Sequence, residues 1–446
     1  MKKTIIALFF VVAMLMVTVT GCNSETGNGD NGGNGGGAST TACICGKADC
    51  DATGEEHKDV SWVKWTATDS LPAAEAGEKY ITLTANVVLP KAYALVADQT
   101  LGINLNGFTL SLAAEGDGRD RLFDLSTSAS ETTTLILADG AGTGMLDYTN
   151  AQGDKGLGIL QANGTVDLFG GAITHISAKP AALGGAGLKM EGGTFNMYGG
   201  SFEYGEAEAS KEGGGGNIHI SAGEFTMYDG KIMNGIVDNS DDSKNPRGGN
   251  IALIGTGIFN LEGGTIQGGR TTQGAAICAI GSSEINISGG LITGVERATS
   301  GTICLWEEAV FTMTGGEISG NNSGYKGGAL LLNGKAAFIM TGGKITGNNS
   351  PKNSGAVHAQ GQGKLIIGGD AQITGNTVGA NLFLNHAKAF VEIDAKGLSA
   401  DAKIGVAMST PGVFMQAGAT EAIKGSFTAD KDGQSVTLDG ASLKLG

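Results

Sequence analysis

The sequence predicts an all-β chain wound as a right-handed parallel β-helix, a solenoid with three short strands in each coil of about 26 residues. Two observations predict it. A turn pair recurs as Gly170-Gly171, Gly199-Gly200, Asp229-Gly230, Gly263-Gly264, Gly289-Gly290, Gly315-Gly316, Gly342-Gly343 and Gly368-Gly369. The composition, with 78 glycines against 6 prolines, 41% apolar residues and only 16% charged, suits short strands joined by tight turns. Collagen is excluded because it needs a strict Gly-X-Y period and abundant proline. Disorder is excluded because the apolar residues are regularly spaced. A net charge of −15 argues against nucleic acid as a partner.

Lys2 and Lys3 followed by the apolar stretch Thr4 to Val19 form an export signal over residues 1–21, too short and too close to a small-residue site for a spanning helix. The sequence Val19-Thr20-Gly21-Cys22 resembles the lipobox of bacterial lipoproteins. That resemblance implies cleavage before Cys22, acylation of its thiol, and an exported protein held by lipid on a bacterial membrane and facing outside the cytoplasm. Residues 22–42 are mostly Gly and Asn and read as a flexible tether with a reach of roughly 25 Å. Residues 43–76 form a cysteine-containing leader.

The solenoid is expected over 77–388. Tyr80-Ile-Thr-Leu, Gly102-Ile-Asn-Leu-Asn-Gly and Thr134-Leu-Ile-Leu mark entry coils. From Gly170 onward the alternation is regular, so neighbouring residues point to opposite faces. Val166/Leu168, Phe195/Met197, Phe225/Met227, Phe259/Leu261, Ile285/Ile287, Phe311/Met313 and Phe338/Met340 face one interior. Ile173, Phe202, Ile232, Ile266, Ile292, Ile318 and Ile345 follow the turns and supply a second inward column. After a variable loop, Leu188, Ile218, Ile251, Ile277, Ile303, Leu330, Val357 and Leu382 supply a third. Such a unit cannot bury its inner face alone, so copies stack. No repeat holds a helical period over ten residues, which excludes helical solenoids. Asn321, Asn348 and Asn376 fall at matching corners, where stacked amides satisfy one another. Residues 389–446 end without a glycine pair and are expected to cap the open end.

The Thr-Gly-Gly-x-Ile-x-Gly-Asn units, the entry sequence Leu105-Asn-Gly-Phe-Thr-Leu and the terminal Lys403-Ile-Gly-Val resemble bacterial secreted β-helix proteins of the pectate-lyase-like or adhesin-like kind. The likeness covers about 60–446, and residues 43–65 are similar to the cysteine-containing leader of some members. It implies either a non-catalytic surface protein for display, adhesion or binding of glycans or proteins, or a carbohydrate-active lyase or hydrolase. The Gly-His-Gly and Arg-x-Lys stretches of the polygalacturonase-like enzymes are missing, and the histidines are scattered, so the non-catalytic reading leads and no catalytic residue is assigned. The glycine pairs run into strands and not into a helix N-terminus, so nucleotide binding is not expected, and no cofactor is assigned.

Five groups of residues remain as candidates. Outward positions of the third strand place Ile254, Ile280, Cys278, Cys304, Trp306 and Leu331 in one apolar patch, read either as a contact surface or as a patch covered by the chain's own loop. Trp306 with Glu307, Glu308 and His358 forms a possible ligand platform, the ring for a pyranose face and the carboxylates for hydroxyls. Cys278 and Cys304 fall at equivalent positions of adjacent coils, within disulfide reach, or stand there as free thiols. Asp238, Asp241 and Asp242 share an acidic loop with oxygen ligands for Ca²⁺, or simply a solvated loop. Cys43, Cys45, Cys50 and His57 offer a Cys₃His set for Zn²⁺, or one disulfide with a spare thiol, or an unstructured leader.

Overall fold

The fold follows from stacking the repeat. The computed structural model describes residues 36–47, 50, 56–113, 121–147, 157–174, 184–208, 214–238, 246–296 and 298–446. The export signal and Cys22 lie outside them, as do Asp241, Asp242 and the side chain of Asp238. Parallel coils form a β-solenoid of about 11 turns with about 27 residues per turn.

The first ladder is a 14-stranded sheet. It begins with β1 (Gly36–Cys43), β2 (Asp59–Trp65) and β3 (Gly77–Leu83) and runs through strands such as Val310–Met313 to Val391–Leu398. Only the β1–β2 step at its start is antiparallel; β2 pairs with β3 in parallel, as do the coils that follow. The tether assignment therefore needs correction at its end, because Gly36–Cys43 has a partner strand and is ordered by it. Likewise β2 belongs to the sheet, which starts before residue 77. The second and third ladders form a 24-stranded sheet and meet in Lys403–Met408. The first part of that strand pairs with Gln372–Ile373 and the last part with Leu382–Leu384.

All three inward columns occupy one continuous core, in which Phe195, Phe225, Phe259, Ile266 and Ile303 are fully buried. Like stacks on like: the Phe195 and Phe225 rings lie 4.6 Å apart at 3°. Each such side chain contributes roughly 1.5–3 kcal/mol by leaving water.

The turn between the first two ladders explains its glycines. At Gly315 a β-carbon would meet the Ser288 carbonyl oxygen of the coil below at 2.1 Å, and Gly316 has φ +74°. One glycine permits close approach and the other the left-handed conformation.

The corner between the second and third ladders is closed by the asparagine row. Asn321 Nδ2 donates to Asn348 Oδ1 at 2.9 Å, Asn348 Nδ2 to Asn376 Oδ1 at 3.0 Å, and Asn376 Nδ2 to Asn381 Oδ1 at 2.9 Å. The row ends where Asn381 Nδ2 donates to Asp430 Oδ1 at 2.8 Å. Earlier coils do the same job from the other side of the corner, with Asn217 Nδ2 donating to Asn250 Oδ1 at 3.0 Å.

The far end is closed by a three-stranded antiparallel sheet, Val413–Met415, Val436–Asp439 and Ser442–Leu445, with a short helix α1 (Glu421–Lys424). Thr420 Oγ1 accepts the Ile423 N–H at its start. Phe414, Met415, Leu443 and Leu445 bury themselves against the last coil, replacing the apolar face that a further coil would cover.

Candidate functional site

The outer side of the third ladder is covered by the chain itself. From Arg247 onward the described loop leading into a third-ladder strand turns back across that strand's outward residues. Its legs pair from coil to coil, with Arg247 beside Gln273 and Gln273 beside Ser300. Gly301 has φ +67°, and a β-carbon there would meet Cys304 Sγ at 2.8 Å, so the loop backbone lies directly on the cysteine. Cys304 Sγ donates to the Ser300 carbonyl at 2.9 Å, and His358 Nδ1 and Ser354 Oγ are 2.9 Å apart. Cys278, Ile280, Cys304 and Leu331 thus form a small second core, with Ile254 and Trp306 packed on its edge. Of the two readings of this patch, the structure places the covered one.

This placement changes the expected platform. His358 is fully buried, and burial, helped by the Lys326 charge, lowers its pKa to about 4. It offers nothing to a surface ligand. Trp306 has the Arg247 guanidinium 5.4 Å from its ring centroid, so that face is occupied. Glu307 and Glu308 are exposed beside it, and Glu308 pairs with Lys335 at 3.3 Å.

Cys278 and Cys304 stand opposite each other in register, both fully buried and both free thiols. Of the two readings left open for this pair, the structure has the separate thiols, with Cys304 Sγ turned to the Ser300 carbonyl. Burial pushes the Cys278 thiol up to about 12 and Cys304 well above its ordinary value.

The outer face of the first ladder is different. Its middle outward column reads Asp167, Asn196, Thr226, Asn260 and Asn286, each in register with the next. Asn196 Nδ2 donates to Asp167 Oδ1 at 2.9 Å and Asn286 Nδ2 to Asn260 Oδ1 at 3.0 Å. Beside it runs Phe169, Tyr198 and Tyr228. Phe169 and Tyr198 stack with centroids 4.8 Å apart, and Tyr198 and Tyr228 at 4.9 Å and 4°. Burial raises the Tyr198 hydroxyl to about 12, with Asp167 adding to it, so it is a proton donor at neutral pH. Tyr228 is 40% exposed, and the next position of its column is Glu262, which carries no ring. The sequence reading missed this column. Its signal was present, because all three residues immediately precede a turn pair.

At the start of the same face lies the leader. β1 and β2 pair Cys43 with Asp59, which returns the chain and brings Cys43, Cys45, Cys50 and His57 together. Their ligand atoms all lie within 4.8 Å of one another. His57 Nδ1 is 3.5 Å from Cys43 Sγ and 3.2 Å from Cys50 Sγ. Burial pushes the Cys43 thiol up to about 12, opposed by the Cys45 N–H directed at its sulfur. All three cysteines are free thiols. The group packs with Trp62, Tyr80, Ile136 and Ala138, so the leader is a lid on the sheet. Beside this lid a groove of about 690 Å³ is lined by Lys58, Asp59, Trp65, Glu78, Lys79 and Tyr80, among others.

No family model, no curated protein and no solved structure matches the chain.

Proposed function

We propose that the protein is a lipid-anchored surface protein of the adhesin-like β-helix kind, which displays a non-catalytic binding face for glycans. The observation that carries this reading is Tyr228, stacked on Tyr198 through one face and with no ring above its other face. Glu224 and Glu262 stand near enough for their charges to raise its hydroxyl, after the larger effect of burial. A pyranose laid on that ring places its hydroxyls within reach of these carboxylates and of Asn260, the usual division of labour at a sugar platform. Rigid coils hold these groups without further ordering on binding.

A glycan array probed with the full chain tests the reading. Binding to a defined glycan class that is lost in Tyr228→Ala, with the fold intact by circular dichroism, is the expected result. An array without binding overturns it. The carbohydrate-active alternative is favoured by one feature, the groove in which Asp59 and Glu78 meet Lys58 and Lys79. New reducing ends or unsaturated products released from a polysaccharide would establish that alternative instead.

A further inference from the structure

We propose that Cys43, Cys45, Cys50 and His57 bind a thiophilic divalent cation, Zn²⁺ being the natural one, in a closed structural site that clips the leader onto the solenoid. The chemistry of the set comes first. Three thiols and one imidazole make up a complete tetrahedral zinc shell with no position left for substrate, which is the composition of structural sites. With Zn–S near 2.3 Å and Zn–N near 2.0–2.1 Å, the edges of such a tetrahedron are roughly 3.5–3.8 Å. The His57 Nδ1 distances of 3.5 and 3.2 Å to two of the sulfurs already fall around that length. The widest separation in the group, bounded by 4.8 Å, closes with small side-chain rotations.

The surroundings hold the ligands from outside. The backbone at Cys43 is fixed twice, by Gly46 N–H at 2.9 Å and by the Trp62 indole N–H at 3.0 Å, both donating to its carbonyl. Ile44 N–H donates to the Lys58 carbonyl at 2.8 Å, so the loop is closed at its base by backbone as well as by the cluster. The His57 ring stands edge-on to Phe169, 5.5 Å away at 72°, which sets its orientation. Gly46 turns with φ +81° just after Cys45, and its carbonyl rests against Gly140 in the turn after Thr134–Ala138, where a β-carbon would come within 2.1 Å. Cys43 and Cys45 are buried, and the neighbours Trp62, Tyr80, Ile136 and Ala138 make a dry wall on one side.

Such a site has a mechanical purpose. The stretch from Cys43 to His57 is short of apolar residues that could hold it by burial alone. A metal here ties Cys50 and His57 to Cys43 and Cys45, which pack on Trp62, Tyr80 and Ile136 next to the first ring of the aromatic column. A disulfide is the competing use of the same thiols, and it consumes two of the four ligands.

The test uses the full chain extracted in detergent, stripped with chelator and kept reduced under argon. Titration with Co²⁺ is expected to give thiolate charge-transfer absorption and the intense visible bands of tetrahedral cobalt, saturating at one ion per chain. Zn²⁺ bleaches them by displacement. Cys50→Ser and Cys45→Ser lose the bands, whereas His57→Cys retains binding with a stronger charge-transfer band. Cys278→Ser leaves the spectrum unchanged. Metal also protects the leader against limited proteolysis, a readout independent of colour. Absence of thiolate absorption overturns the proposal, as does its persistence in the Cys45→Ser/Cys50→Ser double variant. Peptide mapping of protein from the cell envelope that finds a disulfide among these cysteines does so too.

Discussion

Asn286 on the long first sheet and Cys278 on the third ladder both point away from the common interior. Asn286 keeps partial contact with solvent and bonds along its own column, whereas Cys278 is fully buried in a second small core. Strand alternation is the same in both places. What differs is the connection adjoining the strand. The first and second ladders are joined by a two-glycine turn with no chain to spare. The second and third are joined by loops long enough to fold back, hooked in place by a glycine such as Gly301. Pointing outward on a solenoid therefore means exposure only where the adjoining loop is too short to return.

The largest expected effect breaks this contrast if it fails. Leu331→Asp places a carboxylate between Cys304 and His358 in the covered column, 2% exposed at present. It should cost at least ~4 kcal/mol, because an unpaired charge is buried there. Thr312→Asp, outward on the first ladder, should cost no more than ~1 kcal/mol. Urea midpoints of the two variants measure the difference, and equal midpoints would mean that the loops do not seal the third ladder.

Acid should find the same seal. Burial holds the His358 imidazole neutral down to about pH 4, against 6.5 for an ordinary histidine. As pH falls through that window only the unfolded chain takes up the proton, so stability present above pH 6.5 is progressively lost. The loss from this group is on the order of 3 kcal/mol. His358→Leu matches Leu331 in the coil below and gives up the bond to Ser354. Its stability should fall less steeply between pH 6.5 and 4 than that of the parent chain, and identical slopes would show that this histidine is reached by water.

The interior was legible because it is written in a fixed period. Phe311, Met313, Ile318 and Leu330 could be placed from their distance to a glycine pair, and all are buried as that distance requires. The asparagine corner was legible in part: Asn321 and Asn348 share a motif position, whereas Asn217 and Asn250 fill the equivalent corner from a different point in the repeat. The outer columns were legible only as alternation. Whether Cys278, Trp306 and His358 meet solvent depends on loop conformation, and the loops vary in length from coil to coil. The convergence of Cys43, Cys45, Cys50 and His57 was visible as spacing. Their closeness required the antiparallel pairing of β1 with β2, and β1 lies in a Gly-rich segment with almost no strand signal of its own.

The corner supplies an intermediate case. Asn348 Oδ1 accepts from both the backbone and side chain of Asn321, and its amide donates to Asn376 and to the Ile318 carbonyl. Asn348→Ala leaves several buried groups unpaired and should cost about 2–3 kcal/mol. Asn376 is half-exposed, so Asn376→Ala should cost less, since water replaces part of what is lost. A thermal shift ranking Asn376→Ala below Asn348→Ala in stability would contradict the assignment of the row as an internal satisfier.

The smallest effect on stability is expected at Tyr228, and there smallness is the informative outcome. Among the described residues the ring stacks on Tyr198 and is 40% exposed, so Tyr228→Ala should cost no more than ~1 kcal/mol, the worth of one exposed aromatic pair. Phe225→Ala, three residues earlier and fully buried between Phe195 and Phe259, should cost about 3–5 kcal/mol. The two substitutions remove similar rings, one from the inner face of Glu224–Met227 and one from the residue that follows it. If Tyr228→Ala proved as damaging as Phe225→Ala in urea, the tyrosine column would be structural and its removal could not report on glycan binding. If it is nearly silent, the ring is held out at the surface at little benefit to the fold, as a contact residue should be.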